Sequence, residues 1–228
     1  MTRLARVSIV VFAAGCMQAA PPNPVGVPEP VKTVEAEIAS DRAADSLLVD
    51  VRVLEPGIVV DMRYATANNF TGAPLPGYFA NRAQLRSEAA SALARVQRTV
   101  RERGLGLKVF DAYRPARATR AMVDWTERAN RTDLLRDGYI ASRSRHNLGV
   151  AVDLTLIELV SGRELDMGTA FDTFSEAAHT ANASGQIAAN RQLLKQAMER
   201  EGFTNYDKEW WHFSFTVPNP LRFDRPIR

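Results

Sequence analysis

The sequence predicts an α+β fold: one domain in which a central, largely antiparallel sheet carries packed helices. Three observations favour this class. Helix-like and strand-like segments are mixed along the chain, no glycine-rich phosphate loop follows any strand, and no internal repeat is present. The 228 residues are 46% hydrophobic and 24% charged. This balance is typical of a soluble globular protein that is long enough to bury a core.

The strongest predicted element is a helix from Asn81 to Gly104. Its apolar residues recur at steps of three and four, with arginines and glutamates on the other face. A glycine at the end is typical of a helix C-terminus. A second helix is predicted to begin at Pro115, where the missing N–H is harmless. A third is closed by Gly202.

Strand-like runs separate these helices. Two of them follow Leu47 and are broken at Pro56-Gly57. Another ends in "DAYR" and is stopped by Pro115. The run 150–156 precedes a hairpin turn at Ser161-Gly162, and the aromatic, β-branched stretch 206–217 is the last predicted strand.

The charge balance gives no argument for a nucleic-acid partner or an anionic membrane surface. The formal net charge is +3, and Arg3 and Arg6 near the N-terminus account for two of these charges. A nearly neutral domain offers no basic surface for nucleic acid or for an anionic membrane. Nucleic acid is therefore not an expected partner.

The N-terminus indicates export. Residues 1–15 have a basic start, an apolar run too short to span a bilayer and then small residues, as in a secretory signal peptide. Ala13-Ala14-Gly15 resembles the lipobox of bacterial lipoproteins, which predicts a lipid on Cys16; the alternative is an ordinary signal peptide cleaved elsewhere. A Pro-rich tether at 16–46 would then precede the domain at 47–228, in a periplasmic lipoprotein that meets the membrane only through its anchor.

An aspartate interrupts the apolar strand at 150–156. Period two places Val150, Val152 and the leucines on one face and Asp153 on the other, facing water or a cleft. His146 precedes it, with Gly149 between them permitting a tight turn. Imidazole nitrogen and carboxylate oxygen suit a divalent metal such as zinc. The alternative is an aspartate that is simply solvated.

A second histidine strengthens the metal hypothesis. His212 lies in "EWWHF", three residues after Glu209. Together with His146 and Asp153 it would leave a fourth tetrahedral position for water, as in catalytic zinc sites, with Glu209 as general base. Strand geometry puts Glu209 and His212 on opposite faces, so this hypothesis requires a bend at Trp210-Trp211. The alternative is a hydrophobic strand with a buried, hydrogen-bonded histidine.

These residues match a known family. Ser144-x-His146-x-x-Gly149-x-Ala151-x-Asp153, with Glu209-x-Trp211-His212, resembles the zinc D-alanyl-D-alanine dipeptidases, which include the vancomycin-resistance dipeptidases. The likeness continues in order through "YATANNFTG", "DAYRP" and "DMGTAFD". It implies the fold shared by zinc D-Ala-D-Ala carboxypeptidases and hedgehog signalling domains.

The resemblance implies a role for each motif residue. One Zn²⁺ per chain would be held by His146, Asp153 and His212, with Glu209 as the base. Arg114 would support the oxyanion, which suits a guanidinium that is always charged. As a surface residue at a helix N-terminus it would instead oppose the helix dipole.

Three further residues are implied to contact substrate. Asp172 matches the position that recognises the free ammonium group, with Ser144 and Tyr64 as further contacts. The alternative for Asp172 is the N-cap of a helix in "TFSEAAH". His179 has no role in the zinc motif and is expected to be structural or exposed.

The function expected from the resemblance is zinc-dependent hydrolysis of D-Ala-D-Ala, or of a related dipeptide, to free D-Ala. If the chain is exported, its small dipeptide substrate lies outside the inner membrane, and salvage during cell-wall peptidoglycan turnover is favoured over antibiotic resistance. Two alternatives stay open. One is a carboxypeptidase that trims terminal D-Ala from wall peptides, and the other is a non-catalytic wall-binding zinc lipoprotein.

Overall fold

The structure is a computed structural model, and it describes residues 38–228. The predicted signal peptide, the lipidation site Cys16 and most of the predicted tether lie outside the described residues. Within 38–228, no helix combines the length and the apolar character needed to cross a membrane.

The described chain folds into short strands and longer helices, joined by loops and three 3₁₀ turns. In chain order the elements are α1 (Asp41–Leu47), β1 (Leu48–Asp50), α2 (Val51–Leu54), β2 (Val59–Val60), a 3₁₀ turn (Arg63–Ala65), β3 (Gln84–Arg86), α3 (Ser87–Arg101), β4 (Leu105–Asp111), α4 (Ala116–Arg128), α5 (Asp133–Arg136), a 3₁₀ turn (Arg145–Leu148), β5 (Ala151–Glu158), a 3₁₀ turn (Glu176–Ala178), α6 (Gly185–Arg200), β6 (Thr204–Asn205) and β7 (His212–Ser214).

Five strands form the central sheet, in the order β2-β4-β5-β7-β6. Only β2 and β4 run parallel, and the other three pairings are antiparallel. A separate antiparallel pair joins β1 to β3. Helix α3 contacts β4 and α6 over the main hydrophobic core. The predicted α+β class with a largely antiparallel sheet is confirmed.

Strand β5 is the middle of this sheet and is buried on both faces. Every residue from Ala151 to Ile157 is buried, so the alternation of the sequence does not separate a core face from a wet face. Asp153 is only 2% exposed. Of the two environments predicted for Asp153, the structure therefore shows the cleft and not bulk water.

A β-bulge in β4 changes the direction of one carboxylate. Val109 pairs with Leu154, but two residues later Asp111 pairs with Asp153, a shift of one residue in register. Without the bulge, Val109 and Asp111 would lie on the same face of the sheet. With it, Asp111 lies on the face of Asp153, since directly paired residues share a face.

The first predicted helix is shorter than expected. The residues before Ser87 are not helical, because Gln84–Arg86 pair with β1 and form β3. The helix ends at Arg101 rather than at Gly104. All three residues of β3 are buried, and this strand pairing overrides a helical periodicity that Leu85 also fits.

The N-terminal part of the domain also differs from the prediction. Helix α1 begins at Asp41, within the segment predicted as tether, six residues before Leu47. The first predicted strand is also only partly a strand, because after β1 the chain makes a single helical turn, α2, before Pro56. Its start is capped by Asp50, whose Oδ1 accepts the Arg52 N–H at 3.0 Å.

Two turn predictions agree with the structure. After β5 the chain reverses at Ser161-Gly162, with Gly162 at φ 71° and a bridge between Ile157 and Glu164. The aromatic stretch 206–217 is a strand only at β7. The residues before it form turns, which is the bend that the zinc hypothesis requires between Glu209 and His212.

Candidate active site

One cavity brings the predicted site residues together. Its volume is about 280 Å³, and it lies at the end of the central sheet where β4, β5 and β7 meet the loops. The predicted residues that line it are Tyr64, Arg114, Ser144, His146, Asp153, Asp172, Glu209 and His212. No role was predicted for His179 in the metal site, and its Nε2 lies instead 3.0 Å from the Tyr139 hydroxyl.

Sheet register places two of the candidate ligands. Asp153 of β5 is paired directly with His212, the first residue of β7. Paired residues point to the same face, so the two side chains meet above the sheet. His212 Nδ1 lies 2.8 Å from Asp153 Oδ1.

His146 is positioned by the 3₁₀ turn before β5. Ser144 begins this turn by accepting the His146 N–H through its Oγ at 3.2 Å. Gly149 ends it at φ 66°, and a side chain there would come within 2.5 Å of Leu48 Cδ2. Glycine is therefore required here for its backbone conformation and for space.

The tautomer of His146 follows from its neighbour. Its Nδ1 lies 2.6 Å from the Ala112 carbonyl oxygen, which can only accept, so Nδ1 carries the proton. The lone pair of Nε2 then points into the site, 3.2 Å from His212 Nδ1 and 3.3 Å from Asp153 Oδ2. A backbone carbonyl that orients a histidine in this way is typical of metal ligands.

These three side chains can hold a metal ion. One ligand atom from each of His146, Asp153 and His212 lies within 4.8 Å of the other two. Burial opposes ionisation of Asp153, but the two histidines hold its pKa well below the usual range. Burial lowers the pKa of His212. An ionised carboxylate and a neutral imidazole are the forms that bind zinc.

Glu209 lies beside this group but outside it. Turns carry the chain from β6 to β7, with the Glu209 carbonyl accepting the His212 N–H at 3.2 Å. Its Oε2 is 3.8 Å from His212 Nδ1. Burial first, and then the negative charges of Asp153 and Asp172, raise the pKa of Glu209 well above its usual value. A carboxylate whose pKa is raised in this way accepts a proton more readily than an exposed one, as a general base must.

Asp111 is a functional neighbour that sequence reasoning missed. It is fully buried, accepts the Tyr78 hydroxyl at 2.6 Å and accepts Arg114 Nε at 2.9 Å. Arg114 Nη2 also reaches to 3.8 Å from Asp153 Oδ2. The only signal was a carboxylate at the end of a buried strand, three residues before Arg114. Nothing in the sequence indicates the bulge that places the Asp111 side chain on the face of Asp153.

Asp172 lines the same cavity and contacts Tyr64. The Tyr64 hydroxyl donates to its Oδ1 at 2.9 Å, and its backbone is left-handed with φ 62°. Burial is the main cause that raises the pKa of Asp172 to about 8, with the Asp153 charge adding to it. The N-cap alternative is wrong, because the next helical turn starts at Glu176, after Ser175.

Comparison with known proteins agrees with this geometry. A model of the family described as D-Ala-D-Ala dipeptidase matches residues 44–224. The chain belongs to this family. The match confirms that the chain is a zinc metallopeptidase, as the motifs predicted.

Several curated members of the family are similar over most of their length. A D-alanyl-D-alanine dipeptidase from Enterococcus faecium is 36% identical over 190 residues, which is 75% of this chain and 94% of that protein. One from Streptomyces coelicolor is 36% identical over 191 residues, covering 76% and 95%. One from Escherichia coli K12 is 37% identical over 168 residues, covering 73% and 83%.

The raised pKa of Asp172 predicts a stability change in Asp172→Asn. Asparagine can still accept the Tyr64 hydroxyl and tolerates the left-handed backbone. In the wild type the folded state holds a proton at Asp172 up to about pH 8. The unfolded state loses that proton near pH 4, so the wild type loses stability as pH rises across this window.

We therefore compare the free energies of unfolding of metal-free D172N and metal-free wild type. From pH 5 to pH 9 the difference should change in favour of D172N by about 1 kcal/mol or more. Thermal unfolding of both proteins in EDTA at the two pH values measures this difference. The same difference at both pH values would show that Asp172 does not hold a proton in the folded protein.

Proposed function

We propose that this chain hydrolyses D-Ala-D-Ala, or a closely related dipeptide, to free D-alanine, using one zinc ion. The observation that carries the proposal is the pairing of two groups in one cavity. The candidate ligands His146, Asp153 and His212 lie within one cluster, and Asp172 lines the same cavity. The family's curated members that resemble this chain carry the name D-alanyl-D-alanine dipeptidase.

The donor set fits zinc. His146, Asp153 and His212 supply two imidazole nitrogens and one carboxylate oxygen, which leaves a coordination position for water or substrate. Zinc in such a set acidifies a water molecule and polarises a carbonyl group. The hydrogen bond from His146 Nδ1 to the Ala112 carbonyl keeps the ring in the orientation that presents Nε2.

Glu209 and Arg114 supply the remaining chemistry of peptide hydrolysis. Glu209 accepts a proton from the attacking water, the C–N bond breaks, and Glu209 returns the proton to the departing amine. Arg114 donates to the oxygen that becomes negative as water adds to the carbonyl. Its salt bridge to Asp111, at 2.8 Å, holds the guanidinium beside Asp153.

Asp172 is proposed to bind the substrate's free ammonium group, with Tyr64 orienting the carboxylate. In a half-buried position the ionised form of Asp172 is unfavourable until a cation arrives. An ammonium group supplies that cation, whereas an N-acyl peptide places a neutral amide there. The site thereby favours a dipeptide over the end of a longer wall peptide.

The test compares D-Ala-D-Ala with N-acetyl-D-Ala-D-Ala on the zinc-loaded protein. We expect kcat/KM for the blocked peptide to be lower by about tenfold to a hundredfold, because a charge-assisted hydrogen bond is lost. Released D-alanine is the quantity to measure. Equal or faster cleavage of the blocked peptide would replace the dipeptidase proposal with a carboxypeptidase.

The role of Glu209 predicts a separation between metal binding and turnover. In Glu209→Gln we expect zinc content to be unchanged and kcat to fall by about 10²–10⁴-fold, since the base is lost and the candidate ligands are not. Glu199→Gln is the matched control, because the Glu199 side chain is exposed on α6 and forms an ion pair with Lys195. Retained turnover in E209Q with zinc bound would mean that another group is the base.

We further propose that the chain is exported and anchored to the membrane through a lipid on Cys16. The support is the N-terminal pattern of basic start, apolar run and small residues before Cys16. Its substrate would then come from peptidoglycan turnover. Cell fractionation should place a processed protein in the membrane fraction and release it in Cys16→Ser; a full-length cytosolic protein would exclude export.

A further inference from the structure

A free dipeptide carries two charges, and the proposed function so far accounts for only one of them. Its ammonium group faces Asp172, but its carboxylate also loses water on entering the cavity and needs a cation. Three arginines line the cavity: Arg114, Arg143 and Arg145. Which of them is available follows from the contacts that each already makes.

Arg114 is already committed. Its Nε and Nη2 bind Asp111 at 2.9 and 2.8 Å, and Nη1 contacts Met122 Sδ at 3.2 Å. Its charge is balanced by Asp111 and by Asp153 nearby, and it is only 9% exposed. In the proposed mechanism its remaining donors serve the oxygen of the scissile carbonyl.

Arg145 is held by the backbone. Its Nη2 donates to the Phe215 carbonyl at 2.6 Å, a bond that ties the 3₁₀ turn to the residues after β7. Binding a carboxylate with the same nitrogen would weaken this tie. Arg145 therefore acts first as part of the support for His146, its neighbour.

Arg143 differs from both. Among residues 38–228 it forms no hydrogen bond and no ion pair, although it lines the cavity. It is exposed and immediately precedes Ser144, so the guanidinium lies at the rim. A flexible cation at the rim can reach a carboxylate whose peptide bond lies deeper, near the candidate ligands.

The charge around Arg143 also favours an anion. It borders a second cavity of about 220 Å³, which is lined by Arg143, Arg145 and Arg222 together with Ser144, Asn147 and Leu148. Within residues 38–228, no aspartate or glutamate lines this second cavity. Arg143 therefore places a positive charge at this rim, whereas the carboxyl groups of Asp172 and Glu209 line the main cavity.

We propose that Arg143 binds the C-terminal carboxylate of the substrate and so selects peptides with a free C-terminus. This inference rests on the proposed dipeptidase function and names the cation that the second end of the dipeptide meets. A guanidinium donates two parallel N–H groups to a carboxylate. A C-terminal amide is neutral, so it lacks the charge that strengthens this pairing.

The test compares D-Ala-D-Ala with its C-terminal amide, D-Ala-D-alaninamide. We expect wild type to prefer the free acid by about tenfold or more in kcat/KM. Arg143→Gln should lower kcat/KM for the acid by a similar factor, mainly through KM, and leave the amide unchanged. Arg143→Lys should recover part of the preference.

A matched control removes the same charge elsewhere. Arg136→Gln alters an exposed arginine on α5 that pairs with Asp137 and does not line the cavity. The preference of R136Q for the free acid over the amide should therefore stay at the wild-type level. Equal losses for acid and amide in R143Q would assign Arg143 a structural role and overturn the proposal. An unchanged preference in R143Q would also overturn it.

A binding measurement separates this inference from the proposed function. Calorimetry of zinc-loaded E209Q measures the dissociation constants of the acid and of the amide without turnover. The difference between them reports the carboxylate contact. If wild type releases no D-alanine, the dipeptidase proposal fails. Tighter binding of the acid, lost in E209Q combined with R143Q, would still support the Arg143 contact, and equal binding of acid and amide would overturn it.

Discussion

The site depends on the register of three neighbouring strands. The β4–β5 and β5–β7 pairings place Asp111, Asp153 and His212 side by side in one row. A one-residue slip in either pairing would move a side chain of this row to the other face of the sheet. Because β5 is buried on both faces, such a slip would also expose apolar residues, so the packing that stabilises the sheet also maintains the site.

The site around this row concentrates negative charge at buried or half-buried positions. Asp111, Asp153 and Glu209 are buried, Asp172 is half-buried, and Arg114 is the only buried cation among them. An excess of buried carboxylates is unfavourable alone, and burial together with neighbouring negative charge raises the pKa values of Asp111, Asp172 and Glu209. The same excess favours a divalent cation and an ammonium group, so the instability of the empty site and its selectivity share one cause.

The sequence predicted the chemistry better than the backbone that carries it. His146, Asp153, Glu209 and His212 stand in motifs whose residue types are those of a zinc site, and the cavity contains all four. Asp111 was missed because its direction depends on a bulge, which is set by the pairing of distant strands. The helix start at Ser87 was misplaced for the same reason, since β3 forms only through its contact with β1.

The two contacts proposed for the substrate, Asp172 and Arg143, are opposite in charge, and this difference would orient a zwitterion. A dipeptide bound with its ammonium group toward Asp172 and its carboxylate toward Arg143 meets an opposite charge at each end. The reversed orientation meets a like charge at each end and is disfavoured twice. The peptide bond between the two charges is then presented in one direction to Glu209 and Arg114, so recognition of both ends also determines which bond is placed for cleavage.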